Sequence, residues 1–148
     1  MPTHDVLNQS TELSGHNAAT LDVALCDGVR REGGEDHIDD LTRVGALAGD
    51  PHWIRAGELA NQHVPELRTH DRYGHRIDVV DYHPAYHELM VVAVREGMAG
   101  GPWDDDRPGA HVGRAAKFAT WTQVEAGHGC PISMTYSIVP ALRAEPSL

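Results

Sequence analysis

Asp50-Pro51-His52-Trp53-Ile54-Arg55-Ala56-Gly57-Glu58-Leu59-Ala60 is the stretch that decides the fold class. Aspartate is a favoured helix N-cap, and a proline in the first helical position costs nothing, because that amide has no partner in the helix. Behind this start, Trp53, Ala56, Gly57 and Ala60 recur at i, i+3, i+4 and i+7, which places them on one helical face. Working upstream, Asp36 to Ala48 reads the same way, with Leu41, Val44, Gly45 and Ala48 aligned. Before that, Thr20 is a candidate N-cap for a helix carrying Leu21, Ala24, Leu25 and Gly28 on its face. Arg30 and Arg31 suit that helix's negative end, and Gly33-Gly34 stops it. The first 17 residues are polar and read as an extended arm, which leaves 18–148 as one helical domain.

Downstream of the deciding stretch the period changes. Leu67-Arg68-Thr69-His70 and Arg76-Ile77-Asp78-Val79-Val80 flank Asp71-Arg72-Tyr73-Gly74, which predicts a small β-hairpin or extended ribbon near residues 66–82. His83-Pro84 then restarts the helices, with Tyr86, Leu89, Met90 and Ala93 as a stripe ahead of Gly97. A Gly/Pro/Asp-rich loop from Gly100 to Gly109 follows. Ala110 to Ala126 is expected to be the longest helix, with Val112, Ala115, Ala116 and Ala119 on one face and Phe118 and Trp121 beside it. Gly127-His128-Gly129 breaks it, and Pro131 opens a last apolar helix running towards Pro140. The fold class is therefore mostly α, with one small β element.

Composition excludes several functions. Twelve Lys and Arg stand against 22 Asp and Glu, a formal charge of −10, so a chain-wide grip on a nucleic-acid backbone is not expected. The 41% apolar content is enough for a core, and the longest apolar run, Leu89 to Val94, is far short of the roughly 20 residues that cross a bilayer. Met1-Pro2-Thr3-His4-Asp5 has neither the positive nor the apolar region of a signal peptide, and Cys26 and Cys130 do not form a CxxC pair. Reduced thiols and a cytoplasmic location are expected.

Among candidate chemical groups, His83 and His87 are spaced i, i+4, and Glu88 adds an oxygen, as in a helix-borne metal site. The HExxH order is absent and a third ligand has to come from elsewhere, so His83 reads as a helix-start residue and His87 as part of a polar face. Ser133 and Cys130 are possible nucleophiles with His128 near in sequence, but neither sits in a GxSxG elbow or a Cys-His signature. The glycines of Gly97 to Gly101 and Gly127 to Gly129 match no phosphate-binding loop and read as helix stops. Arg68, His70, Arg72, His75 and Arg76 cluster around Tyr73, yet Glu66, Asp71 and Asp78 interleave with them, which favours a solvated ribbon or a contact with an acidic surface over a nucleic-acid patch. Asp104-Asp105-Asp106 reads as a solvated loop before a cation site. Trp53, Trp103, Phe118 and Trp121 read as core or interface anchors. From the residues alone no catalytic, cofactor or metal site is assigned.

Several ordered stretches add a resemblance. They are Leu7-Asn8-Gln9, Arg31-Glu32-Gly33, Gly57-Glu58-Leu59-Ala60-Asn61, Pro65-Glu66-Leu67, His83-Pro84-Ala85-Tyr86-His87, Gln123-Val124-Glu125-Ala126-Gly127, Cys130-Pro131-Ile132-Ser133-Met134-Thr135 and Pro140-Ala141-Leu142. Together they resemble the N-terminal α-helical domain of the AidB-type, adaptive-response branch of the acyl-CoA dehydrogenases. The resemblance implies that the family chain continues into a middle β-barrel and a C-terminal helical bundle, which hold FAD, the catalytic glutamate and the basic DNA-facing surface. It therefore carries no flavin-binding, catalytic, metal-binding or DNA-contacting residue onto this chain. No cofactor is expected for the chain alone, and neither is the family's activity as an FAD-dependent oxidoreductase on acyl-CoA-like CH–CH groups. The partners implied are the middle and C-terminal domains or a paralogous subunit, within a full-length family homo-oligomer, without membrane or direct DNA contact. Trp103, Phe118, Trp121 and Met134 are expected to be buried against those partner domains, leaving an apolar patch near the last two helices of the isolated chain. Two other readings stand beside this one: a stand-alone interaction module docking on a paralogous acyl-CoA dehydrogenase, and a His/Glu metal-binding protein built on His83 and His87.

Overall fold

The computed structural model describes residues 3–145 and 147. Six α-helices and one antiparallel pair of strands follow in the order α1 (Val23–Arg31), α2 (Ile38–Ala48), α3 (Pro51–Gln62), β1 (Glu66–His70), β2 (Arg76–Asp81), α4 (Pro84–Arg95), α5 (Ala110–Trp121) and α6 (Gly129–Arg143). Short 3₁₀ turns, Glu35–His37 and Gly101–Trp103, lead into α2 and interrupt the α4–α5 connection. The mostly helical class is as expected, and α3 begins as its sequence dictates: the Asp50 carboxylate accepts from the His52 amide at 2.8 Å, with Pro51 in the first position.

The main core lies where α2 packs on α5 and α3 on α4. Val44, Leu89, Met98, Trp121 and Ile132 are sealed in it, with Trp53, Leu59 and Phe118 partly buried around them. A smaller cluster of Ala19, Cys26, Val29, Leu41 and Ala116 joins α1 to the α2–α5 pair. Gly45 is fixed by a close approach. A Cβ there would meet the Ala19 Cβ at 2.5 Å, because the segment before α1 lies directly on α2. That segment is held by the Asn17 amide donating to Thr42 O (2.8 Å) and by the Ala18 amide donating to Gly45 O (2.9 Å). Residues 3–14 ahead of it are exposed.

Several expectations need correction. Asp22, not Thr20, caps α1, its carboxylate accepting from the Leu25 amide at 2.9 Å. The buried face of α1 is Cys26 and Val29, while Leu21 is 65% exposed and Ala24 also faces out. Helix α5 ends at Trp121 rather than Ala126, where the Gln123 and Val124 amides turn to carbonyls three residues back, Thr120 O (3.3 Å) and Trp121 O (3.0 Å). Its inward face is Gly113, Arg114, Ala116, Lys117, Thr120 and Trp121, rotated away from the expected stripe, so that Ala115 and Ala119 are exposed.

The longest helix is α6, with 15 residues, and it runs through Pro140 instead of stopping at it. A proline inside a helix leaves the carbonyl four residues back without its N–H. That carbonyl is Tyr136 O, and the Trp103 indole Nε1–H donates to it at 2.9 Å. A side chain from 33 positions upstream thus supplies the bond that Pro140 cannot, and α6 continues for another turn.

Strands β1 and β2 pair Glu66 with Asp81, Leu67 with Val80 and Arg68 with Val79. The register then slips, so that His70 faces Arg76. Asp78 takes φ +47° at the slip. All 11 strand residues are exposed. Among the described residues, no helix is long and apolar enough to cross a membrane.

Candidate functional site

The loop between α5 and α6 builds a buried, hydrogen-bonded polar pair. Glu125 turns its carboxylate back on the chain, accepting from the Gly127 amide (2.6 Å), the His128 amide (2.9 Å) and His128 Nδ1 (3.0 Å). A carboxylate only accepts, so the imidazole proton resides on Nδ1. Both side chains are buried, the His128 ring lies edge-on to Trp121 at 6.2 Å, and His128 Nε2 has no partner among the described residues. Burial alone would lift the Glu125 pKa; the amides of His128 and Gly127 and the His128 ring outweigh it and hold the carboxyl below its usual range.

Glu125 forms one wall of an open cleft of about 510 Å³. Ala60 and Asn61 at the end of α3, Val64 and Pro65 just beyond it, Tyr82 before α4 and Tyr86 in its first turn, and Gly127 before α6 and Pro131 in its first turn line the rest. Tyr82 and Tyr86 stack at 4.4 Å, and burial, then Tyr82, then Glu125, raise the Tyr86 pKa. The cleft is a mainly apolar slot with one fixed carboxylate and two phenols. It can receive an apolar group or another protein surface; the carboxylate and His128 Nδ1 are already engaged with each other.

The sequence candidates divide into those with structural partners and those left apart. His83 Nδ1 caps α4, accepting from the Ala85 amide at 3.2 Å, and its ring stacks on His63 at 4.6 Å. His87 and Glu88 are exposed, and among the described residues no three His, Cys, Asp or Glu side chains converge as metal ligands. Cys130 is exposed at the start of α6. Ser133 Oγ lies 3.5 Å from an Arg114 nitrogen, and the thiol of Cys26 donates to Ala19 O. Around Tyr73 the basic cluster is neutralised locally: Arg68 pairs with Asp81, Arg76 with Asp78 (2.6 Å) and His75 with Asp71 (3.1 Å). Of the three aspartates, Asp105 is gripped by Arg107 at 2.8 Å, while Asp104 and Asp106 face solvent.

Trp121 corrects an expectation: it is fully buried in the chain's own core and donates to Leu89 O (3.3 Å), so no partner domain is needed to cover it. Trp103 and Phe118 are half-buried, and Met134 is 66% exposed. Residue types alone did not single out Arg114 and Lys117, both buried on α5; the available signal was two long cations at i, i+3 inside an otherwise Ala-rich apolar helix.

The family model described as "Adaptive response protein AidB N-terminal domain" matches residues 8–148. The chain belongs to the AidB N-terminal domain family. The putative acyl-CoA dehydrogenase AidB of Escherichia coli (strain K12) is 42% identical over 141 residues, a match that covers 95% of this chain and 26% of that protein. Two solved structures share the fold of this AidB-type domain. Caenorhabditis elegans ACDH-11 in complex with C11-CoA superposes with a TM-score of 0.77 at 21% identity, over 97% of this chain and 25% of that one. The apo form of Bd2924 gives 0.70 at 20% identity, over 76% of this chain and 23% of that one. The chain thus spans about a quarter of the length of the relatives it matches.

Proposed function

We propose that this chain serves as the helical N-terminal wall of a cytoplasmic, FAD-dependent, acyl-CoA-dehydrogenase-like protein of the alkylation-response type. It covers one side of the flavin and substrate crevice and does no chemistry alone. The observation that carries this reading is the outer face of α6. Met134, Ile138 and Leu142 recur at i, i+4 and i+8 and are 66%, 48% and 48% exposed, whereas only Gly129 and Ile132 of that 15-residue helix are buried. The core is complete without this stripe, so the stripe is surplus to the chain's own folding. Covering it would contribute about 2–4 kcal/mol of hydrophobic stabilisation, counting each side chain as half-exposed. We assign it to the middle and C-terminal domains that the E. coli relative's length leaves room for, or to a subunit that carries them.

The chain's own residues do not fit a flavin by themselves. Free backbone amides at a glycine turn or helix N-terminus are a common cradle for a dinucleotide's phosphates. At the two glycine turns four of these amides are already used: Gly101 N donates to Gly97 O, Trp103 N to Gly100 O, and Gly127 N and His128 N to Glu125. FAD is therefore assigned to the other domains, and no reaction step is routed through this chain.

The test is made on the purified 148-residue chain. It is expected to bind an environment-sensitive apolar dye and to self-associate, to lose both when Met134, Ile138 and Leu142 are replaced together by glutamate, and to show no flavin absorption. A dye-silent wild-type monomer removes the docking reading, and a stoichiometric flavin band removes the claim that the chain lacks a cofactor site.

A further inference from the structure

Apart from the exposed α6 stripe and the Tyr82–Glu125 cleft, a smaller pocket of about 220 Å³ lies between α2, the C-terminal end of α4, the loop that follows it and α5. In a chain whose acids outnumber its bases by ten, this cavity reverses the balance. Five cations line it (Arg43, Arg95, Arg107, Arg114 and Lys117), against three carboxylates, Asp40, Glu96 and Asp105. The carboxylates are fully engaged by two of the five. Arg43 holds Glu96 at 2.8 Å and Asp40 at 2.9 Å; Arg107 holds Asp40 at 3.0 Å and Asp105 at 2.8 Å. That leaves Arg95, Arg114 and Lys117 with no carboxylate within ion-pair distance among the described residues, and the cavity with a formal excess of two positive charges.

Two of those three cations are buried, each 8% exposed. Arg114 donates its Nε–H to Met98 O (2.8 Å), and its guanidinium lies over the rings of Tyr136 (4.2 Å) and Phe118 (4.4 Å). Lys117 Nζ donates to Glu96 O at 2.6 Å, at the negative end of α4. An ammonium has three N–H donors, and this one bond uses one of them. Burying a cation without a counter-charge is costly, and burial accordingly pulls the Lys117 pKa down despite Asp40 and Glu96 nearby. Capping α4 explains one donor of Lys117. It does not explain why two further unmatched cations face the same space.

Size narrows what could supply the missing charge. At roughly 30 Å³ per water, the cavity holds about seven waters, below the roughly 300 Å³ at which pockets begin to enclose drug-sized ligands. Its walls offer guanidinium forks and ammonium donors, the groups that recognise tetrahedral oxyanions. We propose that this cavity is a binding site for a small inorganic oxyanion of the phosphate or sulfate type, held by Lys117, Arg95 and Arg114. A dianion matches the excess of two charges. The site clamps the end of α4 to α5, with Arg114 resting on Tyr136 of α6; its lining shares no residue with the exposed Met134, Ile138 and Leu142 stripe, so the proposal does not rest on the docking reading.

The probe is sodium phosphate, titrated calorimetrically and by thermal melting against sodium chloride at matched ionic strength. Saturable one-to-one binding is expected, with a rise in Tm that chloride does not reproduce. Lys117→Met and Arg95→Ala are each expected to weaken binding at least about tenfold, since each removes a charge-assisted donor. Arg72→Ala, an equal charge change on the exposed hairpin, is expected to leave the affinity unaltered. Absence of saturation at high millimolar phosphate overturns the proposal, as does equal binding by wild type, Lys117→Met and Arg95→Ala. Should Lys117→Met fail to fold, the exposed Arg95 position decides alone.

Discussion

Replacing Trp103 by Phe isolates the bond that lets α6 pass through a proline. Phenylalanine keeps a ring against Tyr136 (5.3 Å between centroids) and His111 (4.6 Å) but removes the indole N–H that donates to Tyr136 O. Pro140 cannot replace it, so the carbonyl is left with water or nothing. An unmade hydrogen bond at a buried group costs about 1–3 kcal/mol; both residues here are half-buried, which places the expected loss at about 1–2 kcal/mol. For a domain near this size that lowers Tm by about 2–8 °C. The second arm is Pro140→Ala, which restores the N–H four residues on. In that background Tyr136 O keeps a helical partner, so Trp103→Phe is expected to cost at most about half as much. The coupling, read from urea unfolding followed by circular dichroism, is then about 0.5–1 kcal/mol. If Trp103→Phe costs the same in the wild-type chain and in the Pro140→Ala variant, the account is refuted, because the indole would then be acting through packing alone.

Two other outcomes follow from the packing and charge already described. Glu125→Gln removes the carboxylate that gathers two amides and His128 Nδ1, so it is expected to cost about 1–3 kcal/mol at neutral pH. Because the folded-state pKa of Glu125 lies below its unfolded value, its stabilisation is present above about pH 4.5 and is lost as pH falls through the folded value. Wild type should therefore lose stability on acidification more steeply than the variant in denaturant melts across that range. Gly45→Ala drives a methyl into Ala19 and is expected to destabilise by about 1–3 kcal/mol, with the first loss of hydrogen-exchange protection at residues 15–20.

The sequence revealed elements wherever a local rule had a single solution. Asp50-Pro51 can start a helix in one way, and Leu41, Val44, Gly45 and Ala48 make a stripe that only one rotation buries. Helices α1 and α5 failed that condition. Their alanines and glycines look apolar on every face, so the rotation was decided by larger groups: Cys26 and Val29 on one, Trp121 and the stems of Arg114 and Lys117 on the other. Pro140 reads locally as a terminator, and only the tertiary contact from Trp103 overrules it. The site divides likewise. Glu125 and His128 are three residues apart and their mutual bonds are local, yet the sequence sets His128 beside Cys130 and Ser133 and does not single out Glu125. The oxyanion cavity assembles residues from 37 to 117; Arg114 and Lys117 share a helix, but its other cations come from α2, α4 and the loop before α5.

The β1–β2 ribbon has a bearing on how the chain behaves among its own copies. A two-stranded sheet has two open edges, each a row of amides and carbonyls able to recruit a further strand, and here Leu67, Val79 and Val80 are exposed along it. Yet the ladder runs regularly through three residue pairs before the slip at Asp78 turns the chain. Arg68–Asp81 and Arg76–Asp78 set charges along the same ribbon. A straight foreign strand laid against either edge would lose its register almost at once and meet charge where it needed apolar contact. The kink and the ion pairs interrupt what would otherwise be a straight apolar edge, a device by which exposed strands avoid recruiting further strands.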